Sequence, residues 1–118
     1  RPEDLQSAVQ LYQSNPNASG IVGVSKFPAP INRSYRLSSQ SKLEAEFPEK
    51  MKERSQDLPD HYFDAGQFSL FSVLTVKKSA GAGDYQNLIG FIIPPERAID
   101  IDEDEDWSFA EKLFNNIV

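Results

Sequence analysis

The apolar residues of this chain fall in short runs separated by polar stretches, and the spacing inside each run predicts its element. Leu5, Ala8, Val9 and Tyr12 recur at helical spacing behind Glu3 and Asp4, acids that favour a helix start, until Asn15-Pro16-Asn17 ends the run. This predicts an amphipathic helix. Gly20-Ile21-Val22-Gly23-Val24-Ser25 is short, apolar and β-branched, which predicts a strand buried on both faces of a largely parallel sheet. Gly66 to Val76 is rich in Phe, Leu and Val and should carry at least one core strand, and Asn87 to Ile93 reads as another buried strand closed by Pro94-Pro95. Trp107, Ala110, Leu113, Phe114 and Ile117 mark one face of a final helix, which puts Trp107 in the core.

Between these runs, Pro28, Pro30 and Pro48 punctuate a polar stretch in which Ser34-Tyr35-Arg36-Leu37 and Lys42 to Phe47 alternate like exposed or edge strands. The pattern predicts a hairpin projecting from the sheet. Glu49 to Asp57 fits a short helix or a loop, and Pro59 then forces an extended or turning chain. Lys77 to Asp84 reads as a flexible connection. A helix leading into a buried strand predicts α/β layers, and the whole chain, 1-118, is short enough to be expected as a single domain with one core. There is no internal repeat.

The formal net charge of −6 argues against a nucleic-acid surface, which needs clustered Lys and Arg, and disfavours an acidic partner. No apolar run approaches the roughly 20 residues of a membrane helix, so no membrane partner is expected. With no cysteine, disulfides, thiolate metal sites and cysteine nucleophiles are excluded. No charged-then-apolar leader opens these residues, which predicts a cytoplasmic protein and makes the Asn-x-Ser triplets at Asn17 and Asn32 chance matches. Arg1 in place of Met suggests a fragment or a processed chain.

The densest chemical signal is Asp100-Ile101-Asp102-Glu103-Asp104-Glu105-Asp106, just ahead of the last helix. One reading is a helix start, with Asp102 as cap and Glu105 completing a capping box. The other is a metal site: in an extended segment Asp100 and Asp102 project to one face and offer hard oxygen ligands to Mg²⁺, with Ile101 in the core. Gly81 and Gly83 lack the order of a phosphate-binding loop and read as a plain mobile loop. His61, the only histidine, has no second histidine or cysteine to complete a set and reads as a surface or packing residue.

Three stretches carry a resemblance. Phe27-Pro28-Ala29-Pro30-Ile31-Asn32-Arg33 is similar to a Phe-Pro-x-Pro-Ile-x-Arg segment of the cytidylyltransferases that make CMP-activated sialic, legionaminic or pseudaminic acids. Arg54-Ser55-Gln56-Asp57-Leu58-Pro59, running into Asp64-Ala65-Gly66-Gln67-Phe68, is similar to a second segment, and Asp100-Ile101-Asp102 with Glu105-Asp106-Trp107 to the closing motif. They stand in the family's order and spacing and cover nearly the whole chain, with the pseudaminic type closest. The resemblance is to the carboxyl-terminal half of these enzymes.

That resemblance implies a partial nucleotide-diphospho-sugar-transferase-like (Rossmann-like) three-layer α/β fold with a β-hairpin dimerisation arm, here 27-47, and hence a homodimer. It implies Mg²⁺ on Asp100 and Asp102, and a sugar-acid pocket lined by Arg54, Gln56, Asp64 and Gln67, where the planar fork of Arg54 suits a carboxylate. In the family the anomeric hydroxyl of the sugar acid attacks the α-phosphate of CTP, which is bound by a glycine- and basic-rich loop of the amino-terminal half. That loop has no counterpart here, so the chain is expected to be a truncated domain, inactive alone. Two departures stand out: Phe63 where pseudaminic-type relatives have His, and Ser69-Leu70-Phe71 where Tyr-Trp-Gly is usual. Both put the identity of the sugar in question. The alternatives are a non-enzymatic binding or oligomerisation module reusing the fold, and one half of a split enzyme completed by a separate CTP-binding chain.

Overall fold

The computed structural model describes residues 1–79, 86–99 and 101–117 of the chain. Among these it has three α-helices, α1 (Pro2–Ser14), α2 (Val73–Lys78) and α3 (Asp104–Ile117), and five strands, β1 (Gly20–Lys26), β2 (Tyr35–Leu37), β3 (Leu43–Ala45), β4 (Tyr62–Phe71) and β5 (Leu88–Ile92). The fold is mixed α/β with two small sheets, one of order β4-β1-β5 and the other pairing β2 with β3. No described helix is long and apolar enough to cross a membrane. The chain divides into two compact units, one of Arg1–Ser25 with Asp64–Val118 and the other of Lys26–Phe63. The segment 27-47 of the arm assignment falls inside the second unit.

In the first unit α1 starts as its sequence predicts, with Pro at the first helical position and Glu3 and Asp4 in the first turn. It stops at Asn15, whose amide donates to the Tyr12 carbonyl and whose Nδ2 donates to the Leu11 carbonyl at 2.9 Å, so the side chain satisfies a carbonyl the helix leaves open. Ala8 is buried while Leu5 and Val9 are exposed, so α1 packs through a narrow stripe.

β1 lies between β4 and β5 and pairs parallel with β5, Gly20 facing Leu88 and Val24 facing Ile92. Along β1 from Gly20 to Gly23 the neighbours on β4 fall back from Phe71 to Phe68, so these two strands run antiparallel. The approach is close: a Cβ on Gly20 would sit 2.7 Å from the Leu70 carbonyl oxygen, a backbone atom that cannot swing aside. Ile21, Gly23 and Ser25 point to one face and are buried, and Val22 and Val24 are half-buried on the other. Ser25 is the one buried polar side chain described, and its Oγ donates to the Ile93 carbonyl at 2.9 Å. The core of this unit is Ala65, Ile93 and Ala98 with Phe68 and Phe91 against them, their rings tilted 53° at 5.7 Å.

Ala65 and Phe68 both reach that core although they are three positions apart, a spacing that regular two-residue alternation forbids. Gly66 resolves the conflict. At φ 69° it adopts a left-handed conformation open to glycine and adds one residue to the strand, as in a β-bulge. Asp64 locks the turn by accepting the Gly66 amide at 2.8 Å.

The Gly66–Val76 run carries the expected strand as the second half of β4, and then Ser72 caps α2, its Oγ accepting from the Thr75 amide at 3.1 Å, so Val73 to Val76 are helical. Other expectations are corrected. β5 ends the order of the three-stranded sheet and is buried on one face only, leaving Ile92 63% exposed. Trp107 is 57% exposed and Ile101 45% exposed, so neither is a core residue. The glycine loop lies outside the described residues.

In the second unit β2 and β3 form an antiparallel hairpin with Tyr35 opposite Ala45 and Leu37 opposite Leu43. Arg36 on the other face pairs with Glu46 at 2.8 Å and Glu44 at 3.5 Å. The apolar face carrying Tyr35, Leu37 and Leu43 is exposed. The open assignment of 49–57 resolves into short 3₁₀ turns at Pro48–Lys50 and Ser55–Asp57, punctuated by Pro48 and Pro59.

Candidate functional site

Within the second unit, the Phe27–Arg33 and Arg54–Pro59 segments fold side by side. Arg33 joins them: its Nη1 donates to Ser55 Oγ at 2.9 Å and its Nη2 to the Met51 carbonyl at 3.2 Å. Its Nε and the Asn32 Oδ1 are buried without a hydrogen-bond partner, so this junction holds polar groups at a desolvation cost. Beside it opens a cavity of about 300 Å³ with apolar walls from Phe27, Pro28, Pro30 and Pro59. Its polar groups are Lys26, Ser55, Gln56, Asp60 and His61.

The cavity's charges are matched, Lys26 Nζ lying 3.1 Å from Asp60 Oδ1. The Phe27 amide donates to the His61 carbonyl at 2.9 Å, and Phe27 packs on Phe63 with ring centroids 5.1 Å apart. Phe63, the departure from the pseudaminic pattern, thus supports the cavity wall through an aromatic pair. His61 Nδ1 contacts the Pro59 carbonyl at 3.2 Å; an Nδ1–H there leaves Nε2 as an acceptor. A cation, an anion, an amide, a hydroxyl and an imidazole around apolar walls can hydrogen-bond a small polar ligand.

Arg54, Asp64 and Gln67 are not among the residues that line this cavity. Arg54 is exposed and its fork is occupied by Asp57, Nε to Oδ2 at 2.8 Å and Nη2 to Oδ1 at 3.4 Å. Asp64 lines a groove of about 560 Å³ over the Val22 and Val24 face of the first unit's sheet, with Ser69, Phe71 and Leu88. Gln67 lines a different cleft of about 650 Å³ and donates through Nε2 to the Arg97 carbonyl. There Arg97 Nη1 meets Asp4 Oδ2 at 2.7 Å, tying the start of α1 to the Pro95–Arg97 turn. Asp64 and Gln67 therefore line separate cavities.

Asp102 is exposed, and its carboxylate takes no hydrogen bond or ion pair among the described residues, which leaves its oxygens free for a hard cation. Asp100, its predicted partner, lies outside the described residues, and no group of three His, Asp or Glu placed to hold a metal occurs among the described ones.

The helix start is one residue later than the Asp102 and Glu105 pairing expected. The Glu103 carbonyl accepts the Trp107 amide at 3.2 Å, and Asp106 reaches back to accept the Asp102 and Glu103 amides, each at 3.1 Å. The half-buried Asp106, three residues into the helix, thus closes the amide-binding half of a capping box. Asp106→Ala is expected to cost about 0.5–2 kcal/mol, read as faster amide exchange at the start of α3, with Asp106→Glu recovering part of the loss.

Nothing local in the sequence marks His61, Lys26 or Asp60 as site residues, since they meet only through the fold. The three prolines of the wall were legible as rigid positions. Compared with models of known protein families and with curated proteins, the chain matches none.

Proposed function

We propose that these residues form the sugar-acid and metal half of a cytidylyltransferase that activates nonulosonic acids, completed by a CTP-binding half that they do not contain. The observation that carries this reading is the cavity in the second unit: two of the family-like segments, far apart in sequence, build its walls together and are bonded through Arg33. A nucleotide-diphospho-sugar-transferase-like architecture agrees with the parallel pairing of β1 and β5 but is one of several α/β arrangements with that feature.

In this reading Gln56, Ser55 and His61 Nε2 hold sugar hydroxyls, and Lys26 exchanges Asp60 for the substrate carboxylate. Arg54 joins them once its fork leaves Asp57. The anomeric hydroxyl forms a bond to the α-phosphorus of CTP, the bond to pyrophosphate breaks, and the hydroxyl proton passes to solvent. Asp100 and Asp102 would hold Mg²⁺, which would supply charge neutralisation on the phosphates. The exposed Tyr35, Leu37 and Leu43 face supports a homodimer formed through the hairpin. The same apolar exposure favours the second reading, a binding or oligomerisation module without catalysis.

Calorimetric titration of a sialic or pseudaminic acid separates the two. The acid is expected to bind the native chain and not Gln56→Ala, and Mg²⁺ binding is expected to disappear in an Asp100→Ala, Asp102→Ala variant. CMP transfer is expected only after a CTP-binding half is added. A native chain that releases no heat with any sugar acid sinks the enzymatic reading and leaves the module.

A further inference from the structure

α3 and α2 carry complementary surfaces that the described residues of the chain leave unpartnered. On α3, Trp107 and Phe114 lie on one side of the helix and flank, with Ile101 and Ala110, a cavity of about 340 Å³ that opens to solvent. Phe114 is 65% exposed. Glu111 sits between the two aromatic rings at helical spacing, and Asp104 lies one turn before Trp107. Neither carboxylate makes an ion pair among the described residues. On α2, Val73 and Leu74 are 72% and 62% exposed and are followed one turn later by Lys77 and Lys78, which are likewise without an ion pair.

We propose that α2 of one copy docks on α3 of a second copy, Val73 and Leu74 filling the cavity beside Trp107 while Lys77 and Lys78 meet Glu111 and Asp104. Charge complementarity selects this occupant: the cavity is apolar with Glu111 at its edge, Asp104 lies in the neighbouring groove beside Lys112, the chain as a whole is acidic at −6, and α2 is a segment of the same chain that joins exposed aliphatic side chains to two consecutive cations without an ion pair among the described residues. In a two-fold pair each copy gives one α2 and receives one, so the contact is made twice. The contact is small, which predicts weak, concentration-dependent association. It rests neither on the cytidylyltransferase reading nor on the hairpin.

Trp107 is the only tryptophan in the chain and reports on this surface directly. Sedimentation equilibrium and tryptophan emission would be followed together on the native chain, on Lys77→Glu with Lys78→Glu, on Asp104→Lys with Glu111→Lys, and on an equimolar mixture of the two variants. All four positions are exposed, and circular dichroism verifies that each variant keeps its helices. The native chain is expected to associate with a blue shift of emission as concentration rises. Each variant is expected to associate at least about tenfold more weakly, because like charges then face each other in both contacts. The mixture is expected to regain association and the blue shift, since basic meets acidic in both contacts of the mixed pair.

A native chain that stays monomeric leaves α3 to a different polypeptide and overturns the proposal. So does association that leaves the emission unchanged or survives either charge reversal, which would point to the hairpin, and so does a mixture no better than its components.

Discussion

Replacing Ile93 by alanine is expected to destabilise the chain by about 2–5 kcal/mol, the range for removing a large aliphatic side chain from a closed core. Ile93 is fully buried and packs in the cluster with Ala65, Ala98, Phe68 and Phe91. Its Cδ1 lies over Gly23, where even a single added Cβ would come within 2.9 Å. Alanine keeps the amide that donates to the Val24 carbonyl at 2.8 Å and the carbonyl that accepts from Ser25, so the loss isolates packing from hydrogen bonding. Domains of this size hold together by only about 5–15 kcal/mol, so the loss removes a large share of the total stability. Urea unfolding checks it: the midpoint should fall at constant slope, and Ile93→Val should cost about 0.5–1.5 kcal/mol. An alanine loss below that of valine would mean that the core around Ile93 is open to solvent.

The second large effect is expected at Arg33→Met. The substitution keeps an unbranched stem and removes both donors, so the Met51 carbonyl and Ser55 lose the partner that ties Phe27–Arg33 to Arg54–Pro59. Charged hydrogen bonds of this kind contribute roughly 1.5–3 kcal/mol each when shielded. Here Ser55 is exposed and the guanidinium Nε is already unpaired, so a net loss of about 1–3 kcal/mol is expected. The functional effect should exceed the thermodynamic one, because the cavity wall carrying Ser55 and Gln56 loses its anchor. The sugar-acid binding proposed above is expected to vanish while amide exchange quickens in 51–57 and stays unchanged in α1. Binding retained at native strength would show that the cavity does not depend on this bridge.

Local chemistry decided much of the secondary structure. The starts and stops of α1, the course of β1, the β2–β3 hairpin and the position of α3 are written in short-range features: acids and Pro2 at a helix start, Asn15-Pro16 at its end, β-branched runs, and period-two alternation at 35–37 and 43–45. The same rules failed where two local signals compete. In Ser72–Val76, an N-cap serine outweighed three aliphatic residues that favour strand, and the chain turned helical. In the acidic run, any of several carboxylates can cap, and the geometry of the first turn chose Asp106.

Which faces are covered was beyond the sequence, because burial depends on what packs from elsewhere. Trp107 and Ile92 have the hydrophobicity of core residues yet stand exposed, one on a helix with an open apolar face and the other on the solvent side of an end strand. The same holds for chemistry. Residue types and their order suggested a sugar-acid and metal site and named Gln56, while the pairing of Lys26 with Asp60, the anchoring of Ser55 by Arg33 and the engagement of Arg54 by Asp57 arise from how the chain folds back. The sequence by itself determined α1, β1, the β2–β3 hairpin and the position of α3, since these follow from neighbours within a few residues. Tertiary structure alone decided which apolar faces stay open and which polar groups meet, since both depend on contacts between residues distant in the chain.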